Sequence, residues 1–239
     1  MTGRSRPIVY GRNPVREALR GRRRVHRVWL VDPGDAEWLG AGSPARFPPV
    51  EKIGRHELEV LCGSPHHQGI AAEVDPYPYV DSTDLLAPVR AIVVALDQVS
   101  DPQNLGAVCR SAEAAGAAGV VLPQRGSASV TPAVCRASAG AVEHLSIARV
   151  RNLADFLAAA KQTGAWVFGA EAGADARFDE VDYGDRAVLV LGAEGRGLRP
   201  RVRAACDQLV ALPLRGKIGS LNVSAAASVL LYEATRSRA

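Results

Sequence analysis

Aromatic side chains are scarce: Phe, Trp and Tyr make up only 5% of the 239 residues, although 47% are hydrophobic. A core must therefore be assembled mostly from Ala, Val and Leu. The four cysteines, Cys62, Cys109, Cys135 and Cys206, are scattered with no C-x-x-C pair. That pattern suggests neither a zinc site nor a disulfide framework and leaves reduced, buried thiols. No apolar run reaches the roughly 18 residues of a membrane span, and the N-terminus lacks a hydrophobic signal region. A cytoplasmic protein with neither membrane nor metal is the expectation. Lysine is nearly missing, with three residues against 26 arginines. Length and composition fit one large domain, or a small one joined to a medium one, with a real core.

The net charge of +4 is modest, but arginine is unevenly placed. Arg4, Arg6, Arg12, Arg16, Arg20, Arg22, Arg23, Arg24 and Arg27 crowd the start, against the single acid Glu17. Such a cluster is an electrostatic footprint for a polyanion, and the planar guanidinium matches phosphate bidentately. Arg12, Arg16, Arg22, Arg23 and Arg24 are the candidate RNA contacts, with His67 and Gln68 from a later polar turn. The alternative is a solvated basic face.

A strand over 8–11 and a helix over 15–19, capped by Asn13-Pro14, open the chain. A strand at 25–31, a short helix at 57–61 and a turn at 66–69 entering a strand complete a small α/β domain, residues 1–75. The Pro-rich stretch 41–50 is a local irregularity, and 76–89, with Pro76, Pro78 and Pro88, reads as a linker. From 90 to 239 strands and helices alternate. Strands are expected at 91–97, 119–122, 144–150, 166–170, 187–191 and 208–212. Helices are expected at 104–115, 133–139, 153–163 and 202–206. A last Ala-rich helix, opened by 221–224, runs to about 236. The unbroken apolar run 91–97 suits a strand buried on both faces, and the alternation predicts a parallel sheet with helices on both sides.

Three loops follow strands of this sheet, where open α/β folds gather ligands. The first runs from Asp97 to Gly106 and enters the helix bearing Arg110; Asn104 can cap that helix. The second is Gly192-Ala193-Glu194-Gly195-Arg196-Gly197-Leu198, whose glycines expose backbone but do not spell a dinucleotide fingerprint. The third runs from Leu212 through Arg215-Gly216-Lys217-Ile218-Gly219-Ser220 to Asn222 and Ser224, which suit a helix start. Taken singly, each has a bland alternative: a cap and a surface charge, an ordinary tight loop, the end of an α/β domain.

Together the three loops carry a resemblance. Asn104-x-Gly106-x-x-x-Arg110, Leu191-Gly192-Ala193-Glu194-Gly195-x-Gly197-Leu198 and Leu212-Pro213 … Ser220-Leu221-Asn222-Val223-Ser224 resemble the three motifs of the SpoU/TrmH family. That family comprises RNA ribose 2′-O-methyltransferases of the SPOUT superfamily. Val9-Tyr10-Gly11-x-Asn13-Pro14-Val15 and His67-Gln68-Gly69-Ile70 resemble the substrate-binding domain of its RlmB branch, which methylates a guanosine of 23S ribosomal RNA. The resemblance implies an α/β SPOUT domain with a C-terminal trefoil knot, a small N-terminal RNA-binding domain and a homodimer. It places S-adenosylmethionine at Gly192, Leu212 and Leu221, with Ala193, Gly197, Leu214 and Asn222 beside them. Its polar active-site positions fall on Arg110, Asn104, Glu194, Ser220 and Asn222.

A guanidinium is a poor base, so Arg110 is expected to clamp phosphate and stabilise oxyanion charge. Glu194 is expected to orient Arg110 or a loop amide, and Asn222 and Ser220 to position the ribose. The other readings are a tRNA or resistance-type rRNA target, a silent RNA- or ribosome-binding protein, and a nucleotide-binding oxidoreductase. The last needs a glycine-rich turn after the first strand of the sheet, and 97–106 does not provide one.

Overall fold

Two units make up the chain: Met1–Pro78 with Val130–His144, and Tyr79–Ser129 with Leu145–Ala239. The computed structural model describes residues 6–39 and 47–236. Arg4, and residues 41–46 of the irregular Pro-rich stretch, lie outside the described residues.

The first unit begins with β1 (Ile8–Tyr10), α1 (Arg12–Arg20), β2 (Val25–Leu30), α2 (Asp35–Trp38), β3 (Val50–Lys52), α3 (Arg55–Cys62) and β4 (Ile70–Val74). Its sheet runs β1-β4-β2-β3, with β4 antiparallel to both neighbours and β3 parallel to β2. Tyr10, Leu58 and Ala71 form one apolar cluster. Arg23 is buried and donates from Nε to Glu143 Oε2 at 2.9 Å, with a second bond to Oε1 and a contact to Cys135 Sγ at 3.4 Å.

The second unit contains β5 (Ala91–Asp97), α4 (Pro102–Ala114) and β6 (Gly119–Pro123). After α5 (Pro132–Ala137), which belongs to the first unit, come β7 (Ile147–Val150), α6 (Leu153–Gln162), β8 (Trp166–Ala170), β9 (Ala176–Arg177), β10 (Arg186–Gly192), α7 (Pro200–Ala204), β11 (Gln208–Ala211) and α8 (Val223–Thr235). The seven strands are ordered β7-β6-β5-β10-β8-β11-β9 and every pairing is parallel. All of β5 is buried: its apolar residues 91–96 suit a strand covered on both faces, and Asp97 at its end is buried with Arg199 as its partner. Helix α8 packs on α4, β5 and β10 through Val223, Ala227, Leu230, Leu231 and Ala234. Its Ser228 hydroxyl lies 2.7 Å from that of Ser111 on α4.

Several expectations are corrected. Helix α1 starts at Arg12 behind Gly11 without a side-chain cap, so Asn13 lies inside it. Asp101, not Asn104, caps α4, accepting from the Gln103 amide at 2.9 Å. The strand expected from 144 starts at Ile147, because residues 141–143 form a 3₁₀ turn. The expected linker is partly structure of the second unit: Leu85 and Leu86 are buried in its core and Val80 bridges to Ala148. The units divide after Pro78 and give 130–144 to the first, where the sequence suggested 1–75 and 90–239.

Candidate active site

Strand order decides where a ligand can sit. From β5 the chain steps outward to β6 and β7, then crosses to β8, and β10 later fills the position between β5 and β8. The direction of strand succession therefore reverses at the β5–β10 pair, and a crevice opens at the carboxyl ends of such neighbours. Gly192 and Asp97 end these strands in register, directly opposite each other.

The turn after β10 is closed on itself. Ala193 bridges Gly197, whose amide donates to the Ala193 carbonyl at 2.9 Å. A Cβ on Gly192 would lie 2.1 Å from the Gly197 carbonyl carbon, so no other residue fits there without backbone movement. Gly197 itself has φ 64°, in the left-handed region. Beyond the turn, Asp97 accepts from the Arg199 amide at 2.9 Å and from Arg199 Nε at 2.7 Å. Gln98, the next residue, takes φ 62°, an uncommon conformation for a residue with a side chain.

Two helix starts meet this turn. Because Asp101 serves as the α4 cap, the Asn104 amide is free to reach Glu194 Oε1, at 3.1 Å. Asn222 caps α8, accepting from the Ser224 amide at 2.9 Å and hydroxyl at 2.5 Å. Its Nδ2 donates to Glu194 Oε1 at 2.5 Å and to Asn104 Oδ1 at 2.8 Å. The Val223 amide completes the set on Glu194 Oε1 at 3.4 Å. Asn222 thus uses both donors and both acceptor lone pairs, while one Asn104 N–H and Glu194 Oε2 have no hydrogen bond among the described residues.

Beside this cluster lies a cavity of about 410 Å³. Gly192, Ala193, Gly197, Leu212, Leu214 and Leu221 all line it, as do Glu194 and Ser220. Arg110 does not. It is exposed on α4, without a side-chain hydrogen bond or ion pair among the described residues, and Glu194 engages the Val223 amide rather than Arg110.

The sequence reading gave Asp97 and Leu198 a place in the loops but no role, and it missed Glu171. Glu171 follows β8 and lines the cavity, held by Arg203 Nε and Nη2 at 2.7 and 3.0 Å, which keep its carboxyl below the usual 4.5. Its signal was available, an acid at the carboxyl end of a strand.

In the first unit the candidate contacts divide. Arg12 bonds Asp35 and packs 5.4 Å from the Trp38 ring centre, with Arg16 at 5.0 Å from the same ring. Gln68 is exposed and accepts from the Arg12 amide at 2.8 Å; Arg22 and Arg24 are exposed. Arg23 and His67 are corrections. Arg23 is consumed by Glu143 in the interior, and His67 is 1% exposed with Nδ1 accepting from the Gly69 amide at 3.0 Å. Among the described residues no helix is long and apolar enough to cross a membrane, and no group of three or more His, Cys, Asp or Glu could hold a metal ion.

Comparison with known proteins gives two family matches: the SpoU rRNA Methylase family over residues 91–232, and the RNA 2′-O ribose methyltransferase substrate binding family over residues 8–80. The chain is 38% identical over 240 residues to an uncharacterized tRNA/rRNA methyltransferase of Synechocystis, covering 97% of this chain and 62% of that one. It thus spans less than two thirds of that relative's length. It is 42% identical to an uncharacterized tRNA/rRNA methyltransferase of Mycolicibacterium gilvum, over 97% of this chain and 76% of that one. The AdoMet-bound rRNA methyltransferase from Sinorhizobium meliloti superimposes with a TM-score of 0.82 at 26% identity, over 96% of this chain and 87% of that one.

Proposed function

Because the chain belongs to the SpoU rRNA methylase family, we propose that it transfers a methyl group from S-adenosylmethionine to a ribose 2′-hydroxyl of structured RNA, a guanosine of 23S ribosomal RNA. The observation that carries this reading is the hydrogen-bonded cluster Asn104–Glu194–Asn222 at the edge of the cavity. It joins all three sequence motifs in one place.

The cavity suits the cofactor. Its volume lies within the roughly 300–1,000 Å³ of small-ligand sites. Leu191, Leu198, Leu212, Leu214, Leu221 and Val223 offer apolar walls for a purine, and the main chain of 192–197 offers amides and carbonyls for its edge. When bound, S-adenosylmethionine supplies a methyl carbon made electrophilic by a neighbouring sulfonium. Ser220 and the open N–H of Asn104 hold the ribose in line with that carbon, and positioning alone supplies several kcal/mol. Asn222 and Glu194 keep Asn104 oriented. Arg110, a permanent cation, clamps the phosphate beside the target and stabilises charge developing on the 2′-oxygen; the proton passes to a phosphate oxygen or to water.

In the first unit, exposed Arg22 and Arg24, with Arg12, Arg16 and Gln68, contact the RNA. The enzyme works in the cytoplasm as a homodimer with a knotted C-terminal segment. The exposed Val229 and Tyr232 of α8 support a pairing face. The test is methyl transfer from labelled S-adenosylmethionine to 23S rRNA and tRNA transcripts, with the product nucleotide mapped. A 2′-O-methylguanosine in 23S rRNA is expected. Methylation confined to tRNA would move the target, and methylation of a base would overturn the reading.

A further inference from the structure

A second cleft, of about 570 Å³, lies in the same unit at the carboxyl ends of β6 and β7. It is lined by Arg125, Arg151, Arg199 and Arg201, and by no acid. Arg199 is neutralised by Asp97. Arg125, Arg151 and Arg201 are exposed and make no side-chain hydrogen bond or ion pair among the described residues. That is the reverse of the first unit, where Arg6, Arg12, Arg16, Arg20, Arg23 and Arg27 each hold a carboxylate. The arginine-rich start of the chain has largely spent its charge internally, whereas three cations converge on this cleft unspent.

The frame that presents them is fixed. The Gln124 amide donates to the Val150 carbonyl at 2.8 Å, and Arg149 Nη2 donates to the Gln124 carbonyl at 2.6 Å. These bonds tie the loop carrying Arg125 to the strand that ends beside Arg151. Asp97 anchors Arg199, and with it the segment carrying Arg201. The two buried side-chain atoms without a partner among the described residues, Ser127 Oγ and Arg149 Nε, belong to these same segments.

We infer that this cleft binds the phosphodiester backbone of the RNA strand that continues from the ribose being methylated, an inference that rests on the proposed function. Free guanidinium groups are planar forks that match phosphate oxygens bidentately. No aromatic ring lines the cleft to stack a base, so it reads backbone rather than sequence. Its place follows from the chain itself: Leu198 walls the cofactor cavity, and Arg199, Pro200 and Arg201 wall the cleft. A strand leaving the reaction site meets these cations next.

The test compares the protein with an R125A/R151A/R201A variant and an R125K/R151K/R201K variant. Binding of a labelled single-stranded oligoribonucleotide is measured against salt, alongside KM and kcat. The alanine variant should lower the slope of log affinity against log salt by about 2, roughly 0.7 for each lost phosphate contact. It should raise KM for RNA with kcat little changed. S-adenosylmethionine binding by calorimetry and the melting temperature should stay at wild-type values. The lysine variant should keep the slope and lose part of the affinity, because charge survives and the fork does not. An unchanged salt slope in the alanine variant overturns the inference. A wild-type protein that binds RNA but methylates none would instead defeat the proposed function, and the slopes would still decide the cleft.

Discussion

Asp97 and Arg199 stand 102 positions apart in the chain and hold each other at the centre of the sheet, the carboxylate taking both the amide and the guanidinium of its partner. Asp97 is fully buried while the Arg199 side chain is 43% exposed, so solvent screens one end of the pair only. The bond fastens the end of β5 to the turn that follows β10. Replacing Asp97 with Ala should cost about 2 kcal/mol, the scale of a hydrogen bond to a charged group. It should also weaken S-adenosylmethionine binding; urea denaturation and calorimetry measure the two effects separately.

Glu194 Oε1 collects two side-chain amides and one backbone amide. Glu194→Ala strips all three donors of their acceptor, and kcat/KM should fall about 10- to 100-fold, equivalent to roughly 1–3 kcal/mol. Glu194→Gln keeps a carbonyl oxygen in place and should retain most of the activity. A double-mutant cycle with Asn104→Ala should give a coupling of at least about 0.5 kcal/mol.

Gly192→Ala places a Cβ against the Gly197 carbonyl, which cannot yield without opening the turn. The expected result is a stability loss of about 1–3 kcal/mol, the usual cost of overpacking, and loss of cofactor binding. Gly184→Ala, at an open site with φ 60°, should lose stability but leave binding intact.

His67 is held below its usual 6.5 by burial and by repulsion from Arg55, against a smaller opposing pull from Glu59. Its Nδ1 must also remain an acceptor for the Gly69 amide. The folded state therefore favours neutral imidazole. Stability from this group is complete above about 6.5 and is lost as pH falls through the lower, folded value. Thermal unfolding of the first unit, followed by its Trp29 and Trp38 fluorescence, should show this acid-side decline. His67→Gln should flatten it.

The β/α alternation of the second unit was readable because β5 and β10 are short, largely apolar and buried along their lengths. Most motif residues could be named because they sit at a strand's carboxyl end or a helix start; Arg110, inside α4, could be named only through its spacing from Asn104 and Gly106. What local pattern could not supply was pairing at long range. Asp101 and Asn104 are both good caps; Pro102 at the first helical position marks Asp101 as the one the helix uses, while the contact of Asn104 with Glu194, 90 residues later, leaves no local trace. Arg23 looked like part of a basic surface until Glu143, 120 residues later, met it. Strand β9 has only two residues, and β3, Val50-Glu51-Lys52, is exposed throughout and carries two charges, so neither shows the apolar signature that made the equally short β1 readable.

Removing one partner of that buried pair is the fifth test. Arg23→Ala leaves the Glu143 carboxylate unpaired in the interior and should cost about 3–5 kcal/mol in chemical denaturation. The double variant Arg23→Met with Glu143→Leu should recover much of it, since an apolar pair of similar volume carries no desolvation penalty.

The placement of residues 130–144 sets a schedule for biosynthesis. All four strands of the first sheet leave the ribosome early, yet its interior arginine waits until Glu143 has been translated. At about 5–20 residues per second, a gap of 120 residues is a delay of roughly 6–24 s. During that interval the nascent N-terminal unit carries an uncompensated internal cation, so it matures only after two strands of its neighbour already exist.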